Sequence, residues 1–140
     1  MEERDYFKRQ IDLLGKVLGK LLADLIGKKN GGGFTGGIEI TNQVLKDELD
    51  IDIEFLISIP KDKIIDFLKI EKGLSDENLE LIAEILILNL ERNFDNKIEE
   101  INRLNLYEKC LKIYEYIEKS HKTYSFERNM KIKNIRSLIF

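Results

Sequence analysis

Cysteine and histidine each occur once in this chain, at Cys110 and His121. A thiol beside an imidazole can act as a nucleophile, because the imidazole takes its proton. The two residues lie eleven positions apart. Cys110 falls on an apolar face with Leu106, Ile113 and Ile117, where cysteine behaves as a small hydrophobe. His121 falls in a turn. One His and one Cys are also too few for a zinc site of usual composition. The pattern therefore predicts a core cysteine and a surface histidine.

Two other stretches imitate ligand sites. Asp50-Ile51-Asp52-Ile53-Glu54 opens like a calcium loop. It lacks the glycine at the sixth place, and Lys61 stands where the bidentate glutamate belongs. Its alternating acids also suggest a carboxylate pair for proton transfer, yet nothing puts two of them in an apolar pocket. Helix capping with an acidic edge is the expected role. Gly31, Gly33 and Gly36 formally match G-x-G-x-x-G, which needs a strand before it and a helix after it. A long helix precedes it instead. Gly32 and Gly37 have the spacing of a P-loop, but Ile38 and Glu39 replace the Lys and Ser/Thr that hold phosphate and magnesium. Residues 30–37 are expected to be a mobile linker. No catalytic residue, metal ligand, cofactor site or small-molecule substrate is assigned.

Lys119, Lys122, Arg128, Lys131, Lys133 and Arg136 surround Tyr124 and Phe126. Cations interleaved with exposed aromatics can bind single-stranded nucleic acid. The preferred expectation is that Tyr124 and Phe126 cover a helical hairpin while the cations face solvent.

Net charge is −3 over 140 residues but unevenly spread. Residues 1–29 carry +2, residues 30–100 carry −10, and residues 101–140 carry +5. A nucleic-acid protein is more often basic overall. Opposite charge in the middle and the tail instead favours attraction between them. Hydrophobic content of 43% with 35% charged residues fits one ordinary helical domain spanning 1–140. No apolar run reaches the length of a membrane span. The charged opening is unlike a signal peptide, and a lone cysteine points to a reducing cytoplasm. Cytoplasmic location without membrane attachment is expected.

The elements that would position these residues are helices. Leu79 to Leu90 is the greasiest run, with Ser75 placed to cap it and Leu74 and Leu79 placed as a hydrophobic staple. The spacing predicts a central helix over about 76–92, with Glu77, Glu80, Glu84 and Glu91 on its one polar stripe. That stripe is left for solvent or for the basic helix after Ser125. Residues 2–27 form an amphipathic helix with Phe7, Ile11, Leu14, Leu18, Leu21 and Leu25 on one face. Gly15, Gly19 and Ala23 run beside that face. They suggest close packing within the chain or a self-association seam. Gly27 suits the helix C-cap. Further helices are expected over 38–49, briefly after Asp52, over 61–71 with Gly73 as its stop, over 94–119 with a kink near Asn102–Asn105, and from Ser125 to about Leu138.

The stretch from Leu106 to Tyr114 resembles the second helix of a tetratricopeptide repeat. Tyr107, Cys110, Leu111 and Ile113 occupy the aromatic, small, leucine and aliphatic places of that family. The resemblance covers about residues 76–138 and implies stacked helical hairpins. The Trp and Gly-Tyr features of the first repeat helix and the Pro after the second are missing. The whole chain is also similar to small uncharacterised helical proteins of bacteria, which open with a segment like Glu3-Arg4-Asp5-Tyr6 before an amphipathic helix. That likeness implies a fold and an origin but no activity.

These features predict an all-α protein of about six helices: an N-terminal helix at 1–29, a Gly-rich loop at 30–37, and helical hairpins at 38–140. The expected function is non-enzymatic protein interaction or scaffolding, with a homodimer seam along residues 7–25. The alternative is a nucleic-acid-associated protein that uses the basic C-terminal helix.

Overall fold

A computed structural model describes residues 2–30, 36–91, 98–121 and 124–139. Seven α-helices occur among them: α1 (Glu2–Asn30), α2 (Gly37–Leu49), α3 (Ile53–Ser58), α4 (Ile64–Asp66), α5 (Asp76–Glu91), α6 (Glu100–Ser120) and α7 (Phe126–Ile139). No strand occurs among the described residues. The fold is all-α, with a long N-terminal helix followed by shorter ones.

α5 lies at the centre because little of its circumference is polar. Leu79, Ile82, Ala83, Ile85, Leu86, Leu88 and Leu90 are all buried. Its first turn is fixed as the sequence predicts: Ser75 Oγ accepts from the Asn78 N–H at 3.2 Å, and Leu74 and Leu79 are both buried.

α1 lies along α5 in the same direction. Asn78, in the first turn of α5, donates from Nδ2 to Ile11 O at 3.2 Å. Farther along, Leu22 and Ile26 share a groove with Ile87 and Leu88. α2 turns back along α1, and Thr41 Oγ1 accepts from Asn89 Nδ2 at 2.8 Å, tying its start to the end of α5. α6 runs antiparallel to α5: Arg103 reaches Leu90 O, Cys110 reaches Ala83 O, and His121 reaches Asp76. α7 folds back on α6 and is capped by Ser125, whose Oγ accepts from the Arg128 N–H. Each face of α5 therefore meets a neighbour, and the core is one continuous set of Leu, Ile and aromatic side chains.

Several local expectations change. α1 continues through Gly27 to Asn30, so Gly27 is not its C-cap. The helix predicted over 61–71 is composite. It has a 3-10 turn at Lys61–Lys63, the single α-turn of α4, and a π-helical stretch at Phe67–Glu71. Lys72 N–H reaches five residues back to Phe67 O, and Leu74 N–H reaches Leu68 O, with Gly73 at φ 67° closing the end. That positive φ is why glycine stands there. α6 begins at Glu100 and passes through Asn102–Asn105 without a break. Residues 92–97, which hold the rest of the predicted helix start, lie outside the described residues, as do 31–35 of the glycine loop.

Candidate interaction surface

α1 has 29 residues and α5 has 16. Because α5 begins beside Ile11, the first turns of α1 extend beyond it by about 14 Å at 1.5 Å per residue. Every residue from Asp5 to Leu13 is exposed. The stripe that buries Leu18, Leu21 and Leu25 therefore continues into solvent, where Phe7 is 61% exposed. Tyr6, Ile11 and Leu13 are exposed with it. Tyr6 and Phe7 meet edge to face, with ring centroids 5.9 Å apart. This corrects the expectation that Phe7 and Ile11 belong to the core face. Periodicity marks the stripe, but the length of the covering helix decides how much of it is covered.

At the foot of this overhang is a groove of about 510 Å³. Ile11, Leu13, Leu14 and Val17 of α1 form one wall, and Leu49 of α2 with Gly73 faces them. Lys16, Lys72 and Glu48 stand among its polar lining residues. Single exposed apolar side chains such as Ile70 are ordinary on a protein surface. Tyr6, Phe7, Ile11 and Leu13 instead fall within eight residues of one helix, beside a groove of mixed polar and apolar lining, and Tyr124, Phe126 and Met130 form a smaller exposed set at the start of α7.

Gly15 is occupied within the chain. A Cβ built there would lie 3.1 Å from Asn78 Oδ1, whereas Gly19 has open space around it. Of the two glycines, only Gly15 therefore marks a close approach between α1 and α5.

Part of the basic tail is paired with glutamates. Arg128 Nε donates to Glu80 Oε2 at 2.7 Å, and its NH1 donates to Glu118 Oε1 at 3.0 Å. The hydrogen bond to Glu80 leads the effects that hold its guanidinium above its already high pKa, outweighing burial. Lys131 lies 3.5 Å from Glu84, and Arg136 lies 3.0 Å from Glu115. The glutamate stripe of α5 thus meets the basic helix at Glu80 and Glu84, and leaves Glu77 and Glu91 exposed. Lys119 and Lys133 are exposed, and Lys122 lies outside the described residues. Tyr124 and Phe126 are 65% and 68% exposed, so they do not cover the hairpin as expected.

Cys110 and His121 are not brought together. Cys110 is fully buried, and burial pushes its thiol up to about 12. His121 sits at the end of α6, with Nε2 3.1 Å from Asp76 Oδ2. The same carboxylate accepts from Lys69 Nζ, which also donates to the Tyr116 hydroxyl at 2.9 Å. This cluster joins the π-helical stretch, the start of α5 and the end of α6. Asp50 and Asp52 act locally. Asp50 takes φ 55° at the end of α2, and Asp52 caps α3 by accepting from the Phe55 N–H at 2.8 Å. Among the described residues, no group of three His, Cys, Asp or Glu side chains could hold a metal ion. No described helix is long and apolar enough to cross a membrane.

Sequence reasoning missed Lys109. It is buried, and its Nζ donates to Leu56 O at 2.7 Å, Ile57 O at 2.6 Å and Asn105 Oδ1 at 2.7 Å. Burial lowers its pKa. It closes the end of α3, a local structural task that leaves none of its protons for a ligand.

No family model matches the chain, and no curated protein or solved structure matches it either. Tyr107, Cys110, Leu111 and Ile113 are all buried.

Proposed function

We propose that this chain is a non-enzymatic protein-interaction or scaffolding module of the cytoplasm, and that it docks through the first turns of α1. The observation that carries this reading is the set Tyr6, Phe7, Ile11 and Leu13, all exposed in the first turns of α1 beside a groove of mixed polar and apolar lining. Exposed aromatic and aliphatic side chains on a helix are the usual chemistry of a helix-mediated interface. The lone buried Cys110 fits a reducing compartment. The antiparallel hairpins of α5, α6 and α7 fit a tetratricopeptide-like frame of the kind found in bacterial helical proteins.

The nucleic-acid alternative retains exposed Lys119, Lys133, Tyr124 and Phe126. Arg128, Lys131 and Arg136 face glutamates instead, which weakens the field that reading requires. It is not adopted.

The test places a photo-cross-linking residue at Gln10 of the full chain in its host cell. A discrete protein adduct is expected. It is lost when Phe7→Asp and Ile11→Asp are introduced, while the purified double variant keeps its thermal midpoint within about 3 °C, as surface changes do. An adduct indifferent to both substitutions overturns the reading, and so does the absence of any adduct.

A further inference from the structure

We propose that the outward face of the α6–α7 hairpin is a second docking surface, and that its occupant is an acidic amphipathic helix of a partner protein. It uses none of the residues in the first turns of α1, and its failure would leave the reading of that surface standing.

The apolar part of this face is a stripe on α7. At 100° per residue, Phe126, Met130, Lys133 and Ser137 fall within about 60° of one another. All four are exposed, and Tyr124 stands exposed just before them. Ile132 and Ile135 are buried on the opposite side of the helix. The spacing of four, three and four residues carries the stripe over about 16 Å, or three helical turns. A helix laid along this stripe buries Phe126 and Met130 together, and the methionine adapts its shape to what it meets.

Charge selects the sign of the occupant. Arg128 meets Glu118 and Arg136 meets Glu115, and these contacts mark the seam between α6 and α7. Lys112 and Lys119 stand three residues before and four residues after Glu115, so they neighbour it on the surface of α6. Both are exposed, as is Lys133 across the seam. The acids of α6 beyond Leu106 are already engaged: Glu108 by Lys61, Glu115 by Arg136 and Glu118 by Arg128. Lys112, Lys119 and Lys133 have no ion-pair partner among the described residues. Internal pairing thus consumes the acids and leaves three cations on the α6 side of Phe126 and Met130. The other side of the stripe carries Glu127 and Asn134, both exposed. A helix with apolar side chains along its centre and carboxylates along one flank matches this arrangement, and a basic helix is repelled by it. A nucleic-acid strand fits less well, because the free cations lie on one flank only and Glu127 stands on the other.

The test titrates the full chain into a fluorescein-labelled synthetic peptide of about 18 residues, long enough for five helical turns. The peptide carries leucines at three- and four-residue spacing, glutamates along one flank and glutamines elsewhere. Fluorescence anisotropy is expected to give a Kd of about 10 to 100 µM at about 50 mM salt. The same peptide with lysines in place of the glutamates binds about tenfold more weakly, or less. Phe126→Ser with Met130→Ser weakens the glutamate peptide by about tenfold. Lys119→Glu with Lys133→Glu also weakens it by about tenfold and tightens the lysine peptide. The four substituted side chains are exposed, so circular dichroism of both double variants should match the parent. A Kd above about 1 mM overturns the proposal. So does binding indifferent to either double variant, or a lysine peptide bound as tightly as the glutamate one. A thymidine oligonucleotide of about 20 residues that binds more tightly than the glutamate peptide assigns the face to nucleic acid and overturns the proposal as well.

Discussion

Lys109 Nζ lies 2.7 Å from Leu56 O and 2.6 Å from Ile57 O, so a lysine from the middle of α6 caps the last turn of α3. α3 has six residues, too few to be stable alone. Its carbonyls at this end are covered by α6 and need a donor. Lys109→Met keeps the stem and removes the donor. A loss of about 1 to 3 kcal/mol is expected, the cost of leaving buried carbonyls unsatisfied. Urea denaturation of the variant against the parent measures it.

Gly15 and Gly19 look equivalent in sequence and should respond oppositely to alanine. At Gly19 a Cβ meets nothing within 4 Å. Gly19→Ala is expected to stabilise α1 by up to about 1 kcal/mol through helix propensity. At Gly15 the Cβ lies 3.1 Å from Asn78 Oδ1, and Asn78 is held by its bond to Ile11 O. Gly15→Ala should gain nothing, and Gly15→Leu should destabilise by about 2 kcal/mol through displacement of α5 from α1. Thermal midpoints of the three variants separate the two sites.

The carboxylate of Asp76 couples stability to pH. Burial pushes its pKa up, but the hydrogen bonds and charges of Lys69 and His121 together hold it below the usual aspartate value. The hydrogen bond to Asp76, and then that to Tyr116, hold Lys69 above 10.5. The contribution of Asp76 is therefore present above its unfolded pKa, near 4, and is lost as pH falls through the lowered folded value. The contribution of Lys69 is present below 10.5 and is lost as pH rises through the raised one. Asp76→Asn should cost about 1 kcal/mol at pH 7, since both side chains are partly solvated. The difference from the parent should close as pH falls through the lowered folded value of Asp76, where the parent carboxylate is also protonated. Urea midpoints measured from about pH 7 down to about pH 2 trace it.

The central helix was legible because its sequence permits little else. A run from Leu79 to Leu90 with one glutamate stripe must be surrounded, and the cap at Ser75 fixes its start. The attraction of that stripe for the helix after Ser125 was legible from charge alone, and Arg128 with Glu80 realises it. Tyr124 and Phe126 were misjudged because an aromatic side chain carries no mark of whether a neighbour reaches it. The exposure of Phe7 was hidden for a related reason: the repeat spacing starts about one turn before the point where α5 begins beside α1. Lys109 was invisible because a buried lysine has the same sequence signature as a surface one, until the carbonyls of α3 are placed beside it. The π-helical stretch at Phe67–Glu71 depends on where Leu68 and Leu74 must sit, which is set by packing rather than by local propensity.

The parallel pairing of α1 with α5 also bears on how the chain is made. Asn78 and Ile11 touch across 67 positions, with α2, α3 and α4 between them. During synthesis α1 emerges first, and its whole leucine stripe stays wet until α5 has followed. α2 can fold back on it early, and the α5–α6 and α6–α7 hairpins close over short separations. The union of α1 with α5 is the long-range step, and it joins an early-made half of the molecule to a late one. A nascent chain halted before Leu79 would therefore present the full length of α1, from Phe7 to Leu25, as one continuous apolar face.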